Sequence, residues 1–182
     1  MNSIALLNTG KSPPSDINVV IEIPKGSSIK YEYDTDNKIL QIDRILSVEM
    51  VYPFNYGFIP KTIETLENNS NLDNLDAFVL YINSLTPLSV INCIPVGVIL
   101  TEDQDGTDTK IIATPNPKIT TSNSVMDLND INQYHLNKLK HFIEHHKDLE
   151  EDKFVKIKEF GDRTMAKKII LSAMENYKKH KK

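Results

Sequence analysis

The hydrophobic period changes once along this chain, and that change limits the fold more than any other feature. Through the first two-thirds, apolar residues recur at every second position: Val19, Ile21 and Ile23 oppose Val20 and Glu22, and Ile29, Tyr31 and Tyr33 oppose Lys30 and Glu32. A period of two marks strands with distinct faces. The polar Asp34-Thr-Asp-Asn37 is turn chemistry, so residues 29–33 and 39–46 read as a hairpin. Further strands are predicted over 76–83, 89–100 and 110–113, with a polar loop at 64–71 and an acidic loop at 102–109. From Ile131 the spacing becomes helical. Ile131, Tyr134, Leu139, Phe142, Ile143 and His146 form one stripe, and Ala166, Ile169, Ile170, Ala173, Met174 and Tyr177 a second, with Asp162 or Thr164 as its N-cap. Residues 154–160 alternate between them as one more strand. Many short strands followed by two helices predict an α+β, β-dominated fold, a closed or half-closed β-barrel with helices packed against it. At 182 residues the chain suits a single domain spanning 1–182.

Charge and cysteine content narrow the function classes. With 21 Lys+Arg against 25 Asp+Glu the net charge is −4, which argues against a broad grip on nucleic-acid phosphates. It leaves room for a local cationic pocket holding a small anion. The single cysteine, Cys93, excludes an intramolecular disulfide framework or a multi-cysteine zinc site, and suits a reducing cytoplasm. The apolar runs are far short of the roughly 20 residues of a membrane span, and the N-terminus does not read as a signal peptide.

Three groups could carry chemistry. Lys30 and Glu32 share a strand face, and the hairpin can bring Arg44 alongside. A second group is the aromatic run Tyr52-Pro-Phe-Asn-Tyr56-Gly-Phe. The third is acidic: Asp73 and Asp76, then Asp103, Asp105 and Asp108. Each has an ordinary reading, as a solvated face, as packing with wet hydroxyls, or as acidic turns. The alternatives are an anion site and an oxygen-rich site for a hard cation such as Mg²⁺. On the residues alone both stay open. His141 and His145 stand at i and i+4, but a zincin is excluded, because the His-Glu-x-x-His order and a third ligand are missing. Phosphate-binding loops of the Gly-x-x-x-x-Gly-Lys and Gly-x-Gly-x-x-Gly types are absent, as is a Gly-x-Ser-x-Gly elbow.

The order of the motifs is more informative than any one of them. Val-Val-Ile-Glu22-Ile-Pro, Ile-Lys30-Tyr-Glu32, Asp43-Arg44, Tyr52-Pro-Phe-Asn-Tyr56-Gly-Phe-Ile-Pro, Pro95-Val-Gly-Val, Asp108-x-Lys110-Ile-Ile-Ala and Phe142-x-Glu-His-x-Lys147-Asp-Leu-Glu follow one another. Over roughly residues 15–175 this set resembles the family I soluble inorganic pyrophosphatases in their short bacterial form. The resemblance implies a five-stranded OB-like β-barrel flanked by two helices, Mg²⁺ dependence, hydrolysis of pyrophosphate to two phosphates, and a homohexamer. It also implies roles. Lys30, Arg44 and Tyr56 would bind phosphate, with Lys110 and Lys147 as further cationic contacts. Asp76 and Asp108 would ligate metal, Asp103 an additional metal, and Asp73 would be the general base. Glu22, Glu32 and Tyr52 would line the outer shell.

The chain departs from the family's Asp-x-Asp-Pro-x-Asp signature. Its own stretch is Asn71-Leu-Asp73-Asn-Leu-Asp76, so Asn71 stands where the first metal-binding Asp is implied, after a longer loop in which Glu67 could supply a carboxylate. His146 stands where the family has a phosphate-binding tyrosine, and Phe154 where a Trp is customary. Two functional readings follow. One is a cytoplasmic, Mg²⁺-dependent pyrophosphatase without nucleic-acid or membrane partners. The other is a weakened relative that binds phosphorylated ligands or a partner without efficient turnover.

Overall fold

The computed structural model describes residues 4–64, 73–120 and 125–180. Eight strands and two helices follow in the order β1 (Ile17–Ile23), β2 (Ile29–Asp34), β3 (Ile39–Ile45), β4 (Asn55–Phe58), β5 (Asp76–Val79), β6 (Val90–Asp103), β7 (Gly106–Pro115), α1 (Gln133–His145), β8 (Val155–Gly161) and α2 (Arg163–His180). The pairing β1-β4-β5-β7-β6 returns to β1, so five strands form a closed ring. This is the expected five-stranded barrel, flanked by two helices. All its contacts are antiparallel except β5–β7, which is parallel.

The length of β6 explains how the ring closes and still carries an extra strand. Its first part pairs with β1 through Val90–Cys93, and its second part pairs with β8 through Val98–Asp103. Between them the register with β7 shifts at Pro95–Gly97. Proline lacks an N–H for the ladder, so a bulge is where it fits, and the bulge bends the strand from one partner to the other. Gly57 has a different task. A Cβ there would lie 1.9 Å from the Val20 carbonyl oxygen, so only glycine lets β4 lie this close to β1.

Both faces of the parallel pair are buried. Ala77, Val79, Ile111 and Ala113 join the cluster that takes Ala166, Ile170 and Ala173 of α2. Phe78 and Ile112 face the cluster that takes Leu139, Phe142 and Ile143 of α1. That is why Ala-Phe-Val and Ile-Ile-Ala are unbroken apolar runs rather than alternating ones. The α2 stripe is as the spacing predicts, and Asp162 caps it by accepting the Met165 N–H at 2.8 Å.

Four local expectations are corrected. Residues 102–109 are not a loop: β6 runs to Asp103, β7 starts at Gly106, and Gln104-Asp105 alone make the turn. Asp103 Oδ1 accepts the Asp105 N–H at 2.9 Å and Gly106 takes φ +123°, so the acidic residues build a tight hairpin end. The strand expected over 76–83 stops at Val79. A strand, Asn55–Phe58, lies inside the aromatic run. Tyr134 is 67% exposed rather than part of the α1 stripe, because it lies well round the helix from the buried face of Leu139, Phe142 and Ile143.

Candidate active site

Strand register assembles the centre of the site. In the parallel pair Asp76 lies opposite Lys110, and Asp108, two residues earlier on β7, points to the same side. The Lys110 Nζ donates to Asp76 Oδ2 at 3.0 Å, to Asp108 Oδ2 at 2.8 Å and to the Tyr56 hydroxyl at 2.9 Å. Tyr56 in turn donates to Asp76 Oδ2. The Lys110 side chain is only 13% exposed, so one ammonium group serves two carboxylates away from bulk water.

Two flanking groups complete the wall. The β2–β3 hairpin forms at the expected turn, and a register shift between Lys30 and Tyr31 skips Asp43 and makes Arg44 the partner of Lys30. Asp43 Oδ2 holds both, at 3.1 Å from Lys30 Nζ and 2.8 Å from Arg44 Nε, and Glu150 holds Arg44 Nη1 at 2.9 Å. Opposite, Lys147 Nζ donates to Asp103 Oδ2 at 2.9 Å, joining the end of α1 to the β6–β7 turn. Glu22, Glu32, Tyr52, Asp73 and His146 complete the lining of the same cavity, whose volume is about 810 Å³. Every candidate among the described residues therefore faces one space. Asn71 and Glu67 lie outside the described residues.

Carboxylates outnumber cationic side chains around this cavity, and their crowding shifts them. Burial, then Asp76 and Glu32, pushes Glu22 up to about 8, although its Oε1 accepts the Tyr33 N–H at 2.7 Å. Burial, then Asp108 and Asp76, pushes Glu64 up to about 8 as well. Asp73 is raised by desolvation and then by Asp76 and Asp108. Burial alone would depress Lys110, but Asp108, Tyr56 and Asp76 overcome it and hold the ammonium well above its ordinary value.

These shifts set a pH dependence. Glu22 binds its proton more tightly folded than unfolded, where its value is near 4.5. The folded state thus holds more protons between pH 4.5 and 8, and stability falls as pH rises through that window. At about 1.4 kcal/mol per unit the whole window is worth about 5 kcal/mol for one such group, of which about 3–4 kcal/mol falls above pH 5.5. In protein stripped of divalent ions the melting temperature should drop by about ten degrees between pH 5.5 and 8.5. Glu22→Gln should flatten that slope, and an unchanged slope in the variant would refute this account of Glu22.

His146 lines the cavity in an unforeseen way. Its Nδ1 is 3.1 Å from the Phe142 carbonyl oxygen and 3.0 Å from that of Ile143, so Nδ1 carries the proton and donates. Burial lowers its pKa to about 4, so the ring is neutral and Nε2 is an acceptor near pH 7. It can meet an anion's oxygen only through a water or through a proton carried by the anion. Sequence reasoning missed Glu64, Asp43 and Glu150 as members of this network. Asp43 and Glu150 stood within quoted motifs, whereas Glu64 had no signal beyond being an acid beside Ile63. The His141 and His145 rings are 4.6 Å apart, with His145 bound to Asp148 rather than to a further ligand.

The donor set suits a hard cation. Among the described residues, no three His, Cys, Asp or Glu side chains already converge on one point, because Lys110 stands between Asp76 and Asp108. Yet repelling carboxylates, one with a buried oxygen lacking any hydrogen-bond partner (Glu64 Oε1), are the oxygen ligands that such ions prefer.

A closed five-stranded barrel with carboxylates and cations interleaved on one cavity wall is a site whose chemistry suits a small polyanion accompanied by hard cations. The comparisons specify the class. The sequence profile of the inorganic pyrophosphatases matches residues 19–178. The inorganic pyrophosphatase of Saccharolobus solfataricus is 46% identical over 94% of this chain and 98% of its own, and that of Sulfolobus acidocaldarius 44% identical over 93% and 95%. The solved structure of the inorganic pyrophosphatase from Helicobacter pylori superposes with a TM-score of 0.87 at 40% identity, over 94% of this chain and 98% of the other. The chain belongs to the inorganic pyrophosphatase family, in its short family I form.

Proposed function

We propose that this chain, with residues 1–182 acting as one domain, is a cytoplasmic enzyme that uses Mg²⁺ to hydrolyse pyrophosphate to two phosphates, with Asp73 as general base. The observation that carries this reading is the single cavity lined by all the described candidates, in which carboxylates exceed cations. A bare polyanion is repelled by such a wall, whereas a magnesium salt of it is not.

Each side chain then has a task that follows from its chemistry. Asp76, Asp103 and Asp108 would hold Mg²⁺ together with Asn71, and the bound ion supplies neutralisation of phosphoryl oxygens and a more acidic water. Asp73, raised by its surroundings, accepts the proton of the attacking water at a carboxylate oxygen, and its shift toward neutrality makes it a better base. Lys30, Arg44, Lys110 and Lys147 donate to the oxygens of the substrate, whose charge grows on the leaving phosphate. The Tyr56 hydroxyl, held between Lys110 and Asp76, turns its proton from Asp76 to phosphate as the anion arrives. Glu22 and Glu32 orient waters around the ions, Tyr52 packs against Tyr56 with ring centroids 5.7 Å apart, and His146 meets the substrate through water.

Incubation of purified protein with Mg²⁺ and pyrophosphate should release two phosphates for each pyrophosphate consumed. Among the described residues no helix is long and apolar enough to cross a membrane. Ile42, Ile45 and Val51 are 59%, 67% and 49% exposed, which supports burial between copies, and we infer a homohexamer. Sedimentation at micromolar concentration should give one species of six chains, and a monomer alone would overturn that assembly. The acceptor-only Nε2 of His146 favours a second reading, a weakened relative that binds phosphorylated ligands without efficient turnover. Tight binding of pyrophosphate without phosphate release would establish it instead.

A further inference from the structure

We infer that Glu64 is a further ligand of the proposed cation site, supplying a carboxylate that the site otherwise lacks. This rests on the reading of the cavity as a Mg²⁺–pyrophosphate site. Glu64 lies just before the segment 65–72, and its backbone N–H donates to the Asp73 carbonyl oxygen at 3.0 Å. That bond joins the residue directly to the proposed general base. The side chain lines the same cavity as Asp73, Asp76 and Asp108. Its Oε1 is buried and has no hydrogen-bond partner among the described residues, while the carboxyl is hydrogen-bonded to the side chain of Thr109, which lies between Asp108 and Lys110 in the sequence of β7.

A buried carboxyl oxygen without a partner is costly, and it stands here in the field of Asp108 and Asp76. Packing does not account for it, since an apolar or amide side chain would fill the same space without repulsion. A divalent ion shared with Asp108 does account for it, because the ion replaces the missing hydrogen bond and cancels the repulsion. Thr109 fixes the carboxyl group toward β7, as partners of metal-binding carboxylates commonly do. The charge matters more because Asn71, expected from the sequence to be a metal ligand, brings no negative charge.

The test is Glu64→Gln, which keeps the size and the hydrogen bond to Thr109. Mg²⁺ binding to chelator-stripped protein, without pyrophosphate, is measured by calorimetry, and melting is recorded with chelator and with Mg²⁺. The variant should bind Mg²⁺ on the order of tenfold more weakly. It should melt at or above the wild-type temperature in chelator, and gain less than the wild type when Mg²⁺ is added. Glu64→Asp, which retains charge but withdraws it by one methylene, should fall between the two. Wild-type Mg²⁺ affinity in Glu64→Gln overturns the inference and leaves the pyrophosphatase reading standing, and so does a variant that melts lower in chelator with unchanged affinity. A wild-type protein that neither binds Mg²⁺ nor hydrolyses pyrophosphate overturns both.

Discussion

Asp73→Ala and Asp76→Ala should each remove nearly all pyrophosphate hydrolysis, for different reasons. Asp73 lines the cavity without an ion pair among the described residues, and burial together with Asp76 and Asp108 outweighs Lys30 and raises its proton affinity. Losing a general base costs roughly 10²–10⁴-fold in turnover. Because Asp73 is proposed as a base and not as a ligand, its variant should bind Mg²⁺ nearly as the wild type does. Asp76 is a junction, accepting from both Lys110 and Tyr56. Its removal takes away a proposed metal ligand and releases both donors from their positions. Asp76→Ala should therefore lose roughly 10²–10³-fold in rate and also require more Mg²⁺. Phosphate release against Mg²⁺ concentration separates the two profiles. Undiminished release in both variants would sink these assignments.

The parts of the site that were legible in the sequence are the ones governed by local chemistry. Asp34 to Asn37 form a turn, so the hairpin and the nearness of Arg44 to Lys30 follow from neighbours in the chain, whereas the register shift at Lys30/Tyr31 that skips Asp43 and pairs Lys30 with Arg44 does not. Helical spacing gives the buried face of α2, whereas Asp108 reads as loop in the sequence, so its place beside Lys110 on one side of β7 comes only with the strand. Non-local pairing was not legible. The Asp76–Lys110 match depends on a parallel register between segments more than thirty residues apart, and nothing local in either segment encodes it. The tip of the β6–β7 hairpin was hidden by its acidity, because Thr101, Thr107 and Thr109 are strand formers interrupted by Asp and Glu. The strand Asn55–Phe58 was masked by Pro53 and Gly57, though Gly57 is there for the close approach to β1.

Glu64 and His146 show the other limit. Residue type alone says that each can bind something. Only burial and the identity of hydrogen-bond partners say what each can do. His146 spends its one proton on main-chain carbonyls of α1, and Glu64 is left with an oxygen that nothing in the described protein satisfies.

Lys110→Met should produce the largest loss of stability of any change in the cavity, and the loss should depend on divalent ions. The Lys110 ammonium is the only cation the described structure sets between Asp76 and Asp108, with Tyr56 as its third partner. Methionine fills much of the same volume but leaves those carboxylates facing each other, with Glu22 and Glu64 adding their field. Breaking a buried ion pair from one side costs about 3–5 kcal/mol. For a chain of this length that is a fall of about 6–20 °C in melting temperature. In chelator the deficit should widen from pH 6 to pH 9, because each carboxylate that ionises adds repulsion that no ammonium now offsets. Added Mg²⁺ should restore most of the stability, since an ion bound a hundredfold above its Kd contributes about 2.7 kcal/mol to the folded state. Turnover should not return with it, staying down by roughly a hundredfold, because the ion does not replace an ammonium that donates to the substrate's oxygens. Equal melting of wild type and variant in chelator would mean that the carboxylates do not depend on Lys110. Recovery of stability and turnover together would mean that its role is only to hold them apart.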